Sequence, residues 1–204
     1  MMRLAPLLAL LLSTAALAAP PGMVEKVRGT LDAVDNNQLR MTTAAGQAIT
    51  VALTPQTTVR SIALASPADI TADSYIGTAA VPQPDGTLKA LEVHVFAPSL
   101  RGSGEGHRPW QSAEGAQATM TNGTVGAVKV AQGRRLTVTY PDGEKTIVVP
   151  DGVPIVRIDP ADTSLLTASA PAKAHVIVFA VPDDHGGAQA QSVLVGKDGI
   201  TPPM

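Results

Sequence analysis

Glu105, His107 and Trp110 lie close together in the stretch GSGEGHRPWQS, Gly102 to Ser112. An imidazole beside a carboxylate is a ligand set for Zn or Cu, and Trp110 is the chain's single tryptophan. A second set of this kind is DDHGG, where Asp183 and Asp184 precede His185. His107, His185 and Asp184 are therefore the metal candidates, with Cu or Zn as the ion. Each also has a plainer reading. Asp and Gly build hairpin turns, and a run rich in Gly, Pro and Ser joins folded units. A lone tryptophan in a chain with 2% aromatics serves naturally as an apolar anchor. The plain readings are preferred: the stretch is a linker, Trp110 docks it into a groove, His185 marks a turn, and no cofactor is expected.

Two arginines stand out next. Arg60 and Arg157 each follow a valine, in VRSI and VRID. Such a repeated arginine can hold a carboxylate or phosphate bidentately. It can equally pair with an acid of its own domain, Asp69 or Asp162, and this needs no ligand. His94 and Glu92 share one side of an extended EVHV run, which reads as an outward strand face. His175 opens a strand and reads as a partly buried histidine. No G-x-S-x-G, H-E-x-x-H or phosphate loop is present, so an enzyme is not expected.

These residues sit on a unit used twice. Gly29, Thr30, Ala33 and Val34 return as Gly123, Thr124, Ala127 and Val128. Leu39, Thr42, Val51, Val59 and Arg60 align with Leu136, Thr139, Val148, Val156 and Arg157. Ala80, Val81, Pro82, Gly86 and Ala90 return as Ala180, Val181, Pro182, Gly186 and Ala190. Order kept across three blocks marks an internal repeat. Each copy reads as strands with hairpin turns at 44–47, 84–86 and 141–143. One short helix per copy is expected between the third and fourth strand regions. SPADI offers Ser66 as N-cap, Pro67 at N1 and Asp69 at N3; DPADT offers Asp159, Pro160 and Asp162 in the same places.

The first residues carry Arg3, an apolar Leu/Ala run and Ala16-Leu17-Ala18, the pattern of a signal peptide cleaved after Ala18. A periplasmic or secreted location follows, and no membrane span is expected after cleavage. The organisation expected is a signal peptide over 1–18, barrel copies over 23–97 and 118–197, a linker over 98–117 and a tail over 198–204. There is no cysteine, so the core alone must hold the fold. Lys and Arg number 15 against 17 Asp and Glu, with no basic block, so a nucleic-acid partner is not expected.

Three strands, a helix and two further strands is the order of an OB-type barrel. The GTL/GTV…AV opening, the central hairpin and the ending Asp85-Gly86-Thr87-Leu88-Lys89-Ala90-Leu91-Glu92-Val93-His94-Val95 resemble small OB-like barrels found in tandem in exported bacterial proteins, including domain families of unknown function. The resemblance spans nearly all of the chain beyond the leader. It implies an all-β fold of two tandem OB-like β-barrels, with a six-stranded relative as the structural alternative, and it brings no catalytic residues. Some small periplasmic OB barrels bind Cu(I) through His, Met and a Trp ring. Here His107 and Trp110 would need Met41 or Met120, and their place in a linker departs from that pattern. The function expected is a non-enzymatic exported binding or adaptor protein contacting another periplasmic or envelope protein. The alternative is a periplasmic metal-binding or metal-delivery protein.

Overall fold

The computed structural model describes residues 24–111, 117–130, 134–183 and 187–204. The leader, Asp184 and His185 lie outside the described residues. The chain runs through β1 (Glu25–Asp35), β2 (Gln38–Thr43), β3 (Ala48–Ala52), β4 (Thr58–Leu64), β5 (Tyr75–Pro82), β6 (Leu88–Ala90), β7 (Val93–Phe96), β8 (Gly106–Gln111), β9 (Gln117–Lys129), β10 (Arg134–Tyr140), β11 (Gly143–Val149) and β12 (Ile155–Ala161). A helix α1 (Thr163–Ser169) then leads to β13 (His175–Pro182) and β14 (Ala188–Gly196). The protein is mostly β, as its alternating sequence requires.

Local chemistry sets the turns. Asn36 and Asn37 both take positive φ, 46° and 59°, between β1 and β2, the geometry of a two-residue hairpin loop that asparagine tolerates. At the β5–β6 turn Gly86 takes φ 80°, and the Asp85 carboxylate accepts from the Thr87 amide at 3.0 Å and its hydroxyl at 2.7 Å.

The strand partners are not those of a tandem pair. β1, β2, β3, β14 and β13 pair in sequence, and β13 returns to β1, which closes a five-stranded barrel. Its first three strands come from one copy and its last two from the other. The same cycle of pairings repeats with β9, β10, β11, β6 and β5. Between the two rings β4 and β12 lie antiparallel, with Ile62 opposite Ile158. They carry each copy's chain from one ring to the other.

Each ring encloses an apolar core. Leu31, Met41, Val178 and Val193 fill the first, and α1 caps it with Leu166 and Ala170. Ile76, Leu136, Val138 and Ile147 fill the second. A third cluster lies outside both, on the reverse face of the sheet between them, around Ile62, Ile158, Ile177 and Leu194.

Several expectations change. The first copy's helix is a single 3-10 turn, Pro67–Asp69, with Ser66 as N-cap; Asp69 accepts from the Ser66 amide at 2.6 Å. In the second copy Asp159 and Pro160 stay in β12, and the helix is capped three residues later by Asp162, which accepts from the Ser164 amide at 2.8 Å. Pairing with β4 keeps that stretch extended: Asp159 faces Ser61 and Pro160 faces Arg60. The segment read as a linker contains β8, hydrogen-bonded to β9 along its length. The tail is not loose either, since Met204 is buried.

Arg60 and Arg157 are not equivalent. Val93 faces Ile155 and Val193 faces Val59. Since Val93 and Val193 match between the copies, Val59 matches Ile155 and Arg60 matches Val156. The slip arises at the hairpins: Thr42 pairs with Ala48, whereas its counterpart Thr139 pairs with Glu144, one residue closer. A one-residue slip sends a strand's side chains to the opposite face.

Candidate functional site

The reverse face of the sheet is concave and forms a cleft of about 330 Å³. Strand alternation places its residues. Val193 points into the first core and Leu194 to the cleft; Val93 points into the second core and His94 to the cleft. β4 contributes Arg60, β9 contributes Met120 and Asn122, and β8 forms a wall with Arg108 and Trp110. Phe96, Phe179 and Ile158 add apolar surface.

Polar atoms converge here without partners. Among the described residues, Arg60 Nε, His94 Nε2, Trp110 Nε1 and Asn122 Oδ1 are buried with no hydrogen bond. His94 is 1% exposed and Asn122 5%. The orientation of the Asn122 amide is fixed, because its Nδ2 donates to the Ser103 carbonyl at 3.0 Å. That leaves Oδ1 as an acceptor. Gly77 makes room for it: a Cβ there would stand 2.6 Å from Asn122 Oδ1. His94 Nε2 lies 3.3 Å from Glu92 Oε1, yet the pair lacks hydrogen-bond alignment, and Oε1 is also without a hydrogen-bond partner. Glu92 is 4% exposed.

The surroundings are cationic. Lys26 places its Nζ 4.2 Å from the centre of the Trp110 ring and donates to the Gln111 carbonyl at 3.1 Å. Strand β1 thereby meets β8 beside the cleft-lining Trp110. Burial, with the Arg28 charge as a lesser cause, pushes the Lys26 ammonium down to about 8, against a smaller opposing pull from Glu92. Burial also lowers the Arg60 and Arg108 guanidinium groups from their ordinary value, though arginine stays charged at any working pH. Arg108 donates to the Gly104 carbonyl at 2.8 Å, and Arg28 donates to the Met204 main-chain oxygen.

The structure sorts the sequence candidates. His107 and Trp110 fall on opposite faces of β8, with His107 exposed and Trp110 turned to the cleft. His107 Nδ1 lies 2.8 Å from the Thr121 hydroxyl, and its ring stacks on Tyr140 at 6.2 Å. Met41 is in the first core, away from Trp110. Arg60 reaches the cleft; Arg157 is exposed and pairs with Asp159 at 2.9 Å on its own strand. Among the described residues no three of His, Asp and Glu are grouped to hold a metal ion. The buried pair of His94 and Glu92 corrects the outward face expected for them. A signal was present: His94 is matched by Leu194 in the other copy, and leucine at that place marks a covered face.

Against family models, curated proteins and solved structures the chain shows no match.

Proposed function

We propose that the protein is a non-enzymatic exported binding protein that takes a small ligand into the cleft floored by His94 and walled by Trp110. One observation carries this reading: four buried polar atoms from four strands line one cavity and lack partners. Each such atom costs about 1–3 kcal/mol when left unsatisfied, a cost that a bound molecule with matching groups offsets. Mostly apolar walls with a few convergent polar groups are the usual make-up of a ligand site. His94 contacts Glu92, and no hydrogen bond joins it to a serine or threonine hydroxyl among the described residues, so the geometry favours holding over nucleophilic chemistry. Export rests on the leader sequence.

The test is a screen of small neutral, anionic and cationic compounds against the chain without its leader, following melting temperature and Trp110 emission. Saturable stabilisation, lost in Trp110→Ala and Asn122→Ala, is the expected result. A screen with no hit in any charge class rejects the reading. One-equivalent binding of Cu(I) or Zn in place of every organic compound restores the metal alternative. A second reading, partner-protein docking, is favoured by β8, which among the described residues pairs with a strand on one side only and so offers an edge for strand addition.

A further inference from the structure

We infer that the ligand of this cleft is a compact organic acid: one carboxylate, an apolar or aromatic body, and a hydroxyl or N–H at the far end. This rests on the binding reading above and names its ligand class. The argument begins with the atoms that need partners. Trp110 Nε1 is a donor with no acceptor capacity, and so is Arg60 Nε; both are buried and unpartnered. Their complement is an acceptor, and beside a guanidinium the best acceptor is an anionic oxygen. Asn122 Oδ1 asks for the opposite, a donor, since its amide nitrogen is already engaged with Ser103. A ligand that satisfies both ends carries an anion at one and a hydroxyl or N–H at the other. Phe96, Phe179, Ile158 and Leu194 supply apolar wall to the same cleft.

Charge narrows the class further. Arg60 and Arg108 line the cleft, Lys26 lies against Trp110 and Arg28 against Met204 of its wall, and Glu92 is the acid near Lys26 and His94. This arrangement repels a cation, metal ions included. Two of the arginines are engaged with main-chain oxygens, Arg28 with Met204 and Arg108 with Gly104. Arg60, with Lys26 against Trp110, is left to meet a ligand charge, which suits a monoanion better than a phosphate dianion. The volume of about 330 Å³ stands at the small end of ligand pockets.

The experiment uses calorimetry and Trp110 emission on the chain without its leader at neutral pH. The probes are 4-hydroxybenzoate and 4-hydroxyphenylacetate, their neutral amides, benzoate, acetate and inorganic phosphate. Both hydroxy acids are expected to saturate one site and to bind about tenfold or more tighter than their amides, the value of a charge-assisted hydrogen bond. Benzoate is expected to fall between, and acetate and phosphate to bind weakest. Arg60→Gln is expected to abolish the preference for acid over amide, and Asn122→Ala the preference for 4-hydroxybenzoate over benzoate. Amides binding as well as acids overturn the inference while leaving cleft binding in place. Phosphate binding best makes this a plain anion site and also overturns it. If no acid saturates, the inference fails, and the wider screen decides separately whether the cleft binds anything. The wild-type series stands without the variants should either fail to fold.

Discussion

Lys26 links two strands that share no hydrogen-bonded register, and its charge depends on pH inside the working range. With the ammonium pushed down to about 8 by burial and Arg28, the cation over Trp110 is lost as pH rises past that value. Trp110 emission should titrate with a midpoint near 8 and should not in Lys26→Met. Stability follows with a definite sign. Between about 8 and the ordinary lysine value of 10.5, the unfolded chain holds the proton more tightly than the folded one, so stability rises with pH across that window. Melting curves at both ends of the window should show this gain in wild type and not in Lys26→Met. Residue-scale chemistry was only partly legible in the sequence. Arg60 was singled out, but paired with the wrong counterpart, because a one-residue difference in hairpin length is invisible to an alignment of similar letters. Asn122 gave no signal, since its value comes from strands that meet only in the folded sheet.

At the scale of elements, close backbone approach explains the repeated glycine. A Cβ on Gly29 would stand 2.1 Å from the Thr42 carbonyl oxygen, and one on Gly123 would stand 2.3 Å from that of Thr139. Each lies just before a break in register, in β1 between Leu31 and Ala33 and in β9 near Val125. Alanine at either place should cost roughly 1–3 kcal/mol through backbone displacement, read by denaturant melts. Helix α1 makes a separate contribution. Leu166 is fully buried in the first core, and Leu166→Ala should cost about 2–5 kcal/mol. Asp162→Ala removes the cap hydrogen bond to Ser164 and should cost about 1 kcal/mol. The hairpin turns at 44–47, 84–86 and 141–143 were legible because Gly, with Pro and Asp in the last two, dictates them locally; the turn at Asn36 and Asn37 was not read. The start of α1 was not, because pairing of β12 with β4 keeps Asp159 and Pro160 extended against their own capping chemistry.

For the molecule as a whole, the β class and the barrel closure were legible and the wiring was not. Letters that recur in order say nothing about which edge each strand will join. The strand exchange has a direct test. A chain of residues 24–97 contains β1 to β7 and lacks β13 and β14, the partners of β1 and β3. Two such chains can supply each other's missing strands, so this fragment should elute as a dimer on size-exclusion chromatography with sedimentation analysis. A stable folded monomer would mean that one copy closes its own barrel. Residues 118–197 should behave likewise, and the two fragments mixed should recover a heterodimer.

The exchange also sets a timetable for a chain made from its N-terminus onward. Glu25 pairs with Ala180, and Val59 lies beside Val193. The first barrel therefore waits, open along the edges of β1 and β3, until nearly the whole chain has appeared. Contacts so distant in sequence form slowly. A polypeptide wired in this way stays pliable until its last strands arrive and lock it.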